Sequence, residues 1–116
     1  MLNRKSLKEL AIIRQREAKI LLDNNNFDGA YYLIGYVIEL ALKACIAKRT
    51  VRYEFPDKKT VENSYSHDLT LLFKTASLWP NFEIELKTNR DLEVNWSIVK
   101  DWSEKVDMKD IQSRKL

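Results

Sequence analysis

The chain has 116 residues, the length of one domain built around one core, so two domains are not expected in it. Hydrophobic residues make up 45% and charged residues 32%, a balance that excludes an intrinsically disordered chain. Lys plus Arg outnumber Asp plus Glu by 20 to 17, a net +3, which tolerates contact with phosphates but falls short of a dedicated DNA-binding domain. Two glycines and two prolines are too few for the repeated tight turns of a sandwich or barrel, so long helices are expected.

Met1 to Leu10 lacks the unbroken apolar run of a signal peptide. Ser6-Leu7-Lys8-Glu9 has the form of a capping box and predicts that the first helix starts there. Leu7, Leu10, Ala11, Ala18, Leu21 and Leu22 then recur at helical spacing, with an end near Asp23. The run Asn24-Asn25-Asn26 favours a turn, because short amides compete for backbone hydrogen bonds, and Asp28 is placed to cap the next helix.

From Ala30 to Ala47 apolar residues point almost all round a helix, the pattern of a mostly buried central element. Glu39 and Lys43 interrupt it, so no membrane span is expected. Cys45, the only cysteine, excludes an internal disulfide and a cysteine zinc site, suits a reducing cytoplasm and reads as core. Val51 to Ser66 shows no sustained period and reads as a long connection. Leu69, Leu72, Phe73 and Ala76 restore the helical pattern behind Ser66 or Asp68 as cap, with Pro80 at the next boundary. Phe82, Ile84 and Leu86 alternate with charged residues, but a lone strand has nothing to pair with, so this stretch is also read as helix. Leu92, Trp96, Val99 and Trp102 mark a further helical region over Asp91 to Trp102, and a charged tail follows from about Glu104. The expectation is a single all-α domain over residues 1–116, an up-and-down bundle of about four helices.

Tyr32, Tyr36, Glu39 and Lys43 fall on one face of the second helix. Read structurally, Glu39 and Lys43 are an i, i+4 ion pair that fixes helix register, which is the commoner role. Read functionally, Lys43 meets a phosphate and the tyrosines stack on a base. His67 stands at a helix start, where capping and packing are its ordinary uses, and as the only histidine it makes no metal constellation. Arg49, Arg52, Lys58 and Lys59, with Tyr53 and Phe55 among them, form a mixed-charge stretch, read as a solvated loop before a nucleic-acid contact. Trp79, Trp96 and Trp102 read as core or interface anchors. Glu83 and Glu85 make no carboxylate dyad, and no phosphate-binding glycine loop is present. No catalytic residue, metal or cofactor is expected.

The stretch Asp28-Gly29-Ala30-Tyr31-Tyr32-Leu33-Ile34-Gly35-Tyr36-Val37-Ile38-Glu39-Leu40-Ala41-Leu42-Lys43-Ala44, followed by Ser66-His67-Asp68-Leu69, resembles bacterial and archaeal HEPN (higher eukaryotes and prokaryotes nucleotide-binding) domains. Asn95 to Ser103 resembles one branch of that family. The resemblance implies a helical bundle, a homodimer, and a role around nucleotides or RNA, including toxin–antitoxin pairs with a small nucleotidyltransferase partner and other defence systems. The nuclease members carry an arginine and then, after four to six intervening residues, a histidine in a late helix; here His67 has no arginine at that spacing. The branch also runs on into an arginine-tyrosine dipeptide and a final helix, where this chain has Glu104-Lys105-Val106-Asp107 and ends at Leu116. The resemblance therefore implies a non-catalytic, dimeric module lacking the final helix. Its binding groove for a nucleotide, RNA or partner protein would lie beside Tyr32, Tyr36, Glu39, Lys43 and His67. The alternative is a HEPN ribonuclease with a site assembled across a dimer.

Overall fold

A computed structural model describes residues 3–52 and 58–102, and these form six α-helices with no strand among them. The helices are α1 (Arg4–Asp23), α2 (Phe27–Arg52), α3 (Lys58–Ser64), α4 (Leu69–Thr75), α5 (Trp79–Thr88) and α6 (Arg90–Val99). The all-α expectation holds, with more and shorter helices than the four expected. Tyr53, Phe55 and the tail from Glu104 lie outside the described residues, as does the side chain of Arg52.

The first helix starts earlier than the capping box implied. Asn3 is its N-cap, with Oδ1 accepting from the Ser6 backbone N–H at 2.8 Å, so Ser6 lies inside the first turn. An asparagine caps as well as a serine does, and the earlier start adds helical turn. At its other end the chain reverses through a left-handed residue. Asn25 has φ 62°, its N–H donates to the Leu22 carbonyl, and the Asn26 N–H reaches back to the Leu21 carbonyl at 2.8 Å. This is a Schellman closure in which asparagine takes the place usually held by glycine. Phe27 then opens α2, so Asp28 sits in its first turn and complements the positive end of the helix instead of capping it.

The α1–α2 hairpin is the frame of the molecule. Leu7, Ala11 and Ala18 of α1 are buried against α2. On another side of α2, Leu42 and Ile46 form a core with Leu69, Leu72 and Ala76 of the α4 region and with Trp102. Asp68 caps α4, its carboxylate accepting from the Leu71 N–H, and the Ser66 hydroxyl accepts from the Asp68 N–H, so both expected caps take part. The end of α4 repeats the left-handed closure: Ser77 has φ 59° and donates to the Lys74 carbonyl, and the Leu78 N–H donates to the Phe73 carbonyl. Pro80 occupies the first turn of α5, where its missing N–H costs nothing. Asn89 alone joins α5 to α6, and its side chain accepts from the Leu92 N–H.

Two expectations about α2 are corrected: it is not mostly buried, because Ala41 is exposed on one face, and Cys45, read as core, is exposed on that same face. The other elements cover the faces that carry Leu42, Ala44 and Ile46 and leave the face of Ala41 and Cys45 open. By length and composition alone, Phe27–Thr50 is long and apolar enough to cross a membrane, with 33% of its most apolar stretch buried here. The connection read over Val51 to Ser66 contains α3, a helix of two turns whose single apolar residue, Val61, gives no helical period to read.

Candidate functional site

Glu39 is 4% exposed, the one buried charged side chain among the described residues, and both of its oxygens are engaged. Oε1 lies 2.7 Å from His67 Nδ1, and Oε2 lies 3.6 Å from Lys43 Nζ. The pairing with Lys43 follows from helical spacing. The pairing with His67 does not, since it spans 28 residues and depends on α4 packing beside α2. A buried carboxylate is tolerated when its charge is countered and its lone pairs are filled, and here a cation and an imidazole do both. The Lys43 side chain keeps 18% of its surface exposed and that of His67 keeps 40%, so the acid is sealed while its partners reach solvent.

The five residues singled out in the sequence separate into two groups. Glu39, Lys43 and His67 form this triad, whereas the Tyr32 hydroxyl donates to the Tyr36 hydroxyl at 3.3 Å and both rings pack on Trp102. Tyr36 meets the Trp102 ring edge-on with centroids 5.0 Å apart. The Trp102 indole N–H donates to the Tyr32 carbonyl at 3.1 Å, so the indole, 3% exposed, is fixed at both its apolar body and its polar edge. Gly35 makes this approach feasible, because a Cβ there would stand 2.0 Å from the indole ring. One turn earlier, the Tyr31 hydroxyl donates to the Ile98 carbonyl. Burial first, and the Asp101 carboxylate second, push the Tyr31 phenol above its ordinary range.

Lys43 also lines a cavity of about 230 Å³ enclosed by Leu7 of α1, Ile46, Ala47 and Thr50 of α2, and Thr60, Val61, Ser64 and Tyr65 of the α3 region. Sequence reasoning missed these α3 residues because it took the segment for a loop. The residue before the helix, Asp57, is a common cap type and was the available signal. A second aromatic group lies away from the triad: Phe73 stacks on Phe82 at 4.3 Å, and Trp96 meets both rings edge-on. Trp79 closes that group under the Lys74 ammonium, so Trp79 and Trp96 tie α4, α5 and α6 together. Arg49 donates to the Ser77 hydroxyl and to the Thr75 carbonyl, bracing the end of α4. Glu83 and Glu85 are both exposed on α5. No group of three or more metal-ligating side chains occurs among the described residues.

The fold and this geometry define an all-helical bundle that carries a buried, partnered glutamate beside a small cavity. No family model, curated protein or solved structure matches the chain.

Proposed function

We propose that the chain is a non-catalytic HEPN-like module that binds a nucleotide or RNA at the Glu39–Lys43–His67 triad. The observation that carries this reading is the way the buried Glu39 holds one ammonium and one imidazole, each with part of its surface in solvent. The Lys43 ammonium at the margin of the cavity suits a phosphate or another anionic group, and Tyr65, 64% exposed at the same cavity, presents a ring on which a base can stack. At about 230 Å³ the cavity lies below the usual range for ligand pockets, so it suits one small group of a ligand and not an extended chain. A homodimer and a nucleotidyltransferase partner belong to the same proposal, supported by the resemblance to the family.

Thermal unfolding with a panel of nucleoside mono-, di- and triphosphates tests it, because a ligand that prefers the native state raises its apparent stability. A rise with one nucleotide that is lost in Lys43→Gln supports the reading, and no shift across the panel refutes the nucleotide assignment.

One observation favours a second reading, ribonuclease action. The His67 imidazole is bonded at Nδ1 to a buried carboxylate, the arrangement that orients a general base through its other nitrogen. The arginine partner of the family's nucleases is missing at its spacing, so the non-catalytic reading is preferred. The purified chain is expected to leave a labelled single-stranded RNA intact. Cleavage by the parent and none by His67→Ala would reverse that preference.

A further inference from the structure

The opposite side of the α1–α2 hairpin carries a groove of about 380 Å³ that has no part in the triad. Ala41 stands two residues beyond Glu39, about 200° round the helix, so the groove and the triad face different ways. Its floor is apolar and shallow, made by Ala11 and Ile12 of α1 and by Ala41, Ala44 and Cys45 of α2. Its rim is cationic: Arg4 and Lys8 come from the start of α1 and Lys48 from the end of α2, brought together because the two helices run antiparallel. Ile12 is 49% exposed there.

We infer that this groove docks an acidic amphipathic helix of a partner protein. The small floor side chains let a helix backbone lie close, and an apolar stripe on that helix would cover Ile12, Ala41 and Cys45 while its carboxylates meet Arg4, Lys8 and Lys48. The start of α1 asks for negative charge on a second count: its first turn holds Arg4 and Lys5 and no acidic residue, against the positive end of the helix dipole. A second copy of this chain fits poorly, since two-fold pairing would set the cationic rim against itself. Nucleic acid fits poorly as well, because the groove presents no aromatic ring for a base and an apolar floor to the backbone.

Cys45 is the only cysteine and lies exposed on the floor, so its rate of reaction with a thiol reagent reads whether the groove is covered. The rate is measured with a synthetic helix bearing leucine and alanine on one face and glutamate on the other, with a scrambled peptide of the same composition, and with a single-stranded RNA oligonucleotide. At a concentration about tenfold above its dissociation constant the amphipathic peptide slows the reaction about tenfold, and Lys48→Glu or Lys8→Glu recovers most of the rate. Circular dichroism of those variants keeps the test on binding and not on folding. The inference is overturned if the amphipathic peptide gives no protection, if the scrambled peptide protects equally, or if charge reversal leaves protection intact. Protection by RNA alone, or protection that grows with protein concentration without peptide, overturns it in favour of those occupants. The assay reads Cys45, on the face of α2 turned away from the triad, so its result is independent of the nucleotide proposal.

Discussion

Glu39 is the one buried charged side chain among the described residues, so its substitution probes the interior directly. Replacing it with alanine leaves the Lys43 ammonium facing a cavity and His67 without its acceptor, and since both partners keep some solvent the loss is set at about 3 kcal/mol, the low end for breaking a buried pair. Glu39→Gln keeps an acceptor for His67 and is expected to cost about 1–2 kcal/mol. Urea unfolding of the two variants measures the difference, and equal losses would mean that the charge accounts for the whole effect and the retained acceptor contributes nothing. Gly35 has a comparable role on the aromatic side. Gly35→Ala drives a methyl group into the Trp102 ring and should cost about 1–3 kcal/mol through overpacking. The same change should shift tryptophan emission to the red as the indole is displaced, and it should produce no such shift in a Trp102→Phe background.

At the scale of elements, the chain turns its corners without glycine. Both left-handed closures use other residues, Asn25 after α1 and Ser77 after α4, while the two glycines lie inside α2. A left-handed conformation costs an ordinary side chain about 1–2 kcal/mol and costs glycine far less. Asn25→Gly is therefore expected to raise stability by about 0.5–1 kcal/mol. Ser77→Gly should gain less, because it also removes the hydroxyl that accepts from Arg49. Thermal melts of Asn25→Gly, and of Ser77→Gly with and without Arg49→Ala, decide this, and an equal Ser77→Gly gain in both backgrounds would show that the Arg49 contact contributes nothing. Helix boundaries were legible where side chains signal them, as at Asp68 and Asn24-Asn25-Asn26. The start of α1 was misread because serine and asparagine caps compete two or three residues apart with nearly equal preference.

At the scale of the whole molecule, the proposed dimer has exposed apolar side chains available to bury. Ile13, Ile20, Ile84 and Ile98 are each at least 46% exposed, on α1, α5 and α6. Dimerisation is expected at micromolar concentration, and multi-angle light scattering that returns a monomer mass would count against it. The tryptophans give this expectation less support than their number suggested, since Trp102 is buried within the one chain and Trp79 and Trp96 are half-buried among Phe73 and Phe82. The sequence by itself determined that the chain is helical, through its periodicities and its few glycines and prolines. It also determined that Glu39 and Lys43 share a face, because a 3.6-residue repeat places neighbours along a helix whatever surrounds it. Only the tertiary structure decided that His67 completes that pair, that Trp102 closes on Gly35, and that Cys45 lies open on a cation-rimmed groove. Periodicity says which residues stand together on one helix, but which of its faces are covered depends on where distant segments dock, and an apolar helix such as α2 looks the same in sequence on its buried and its open sides.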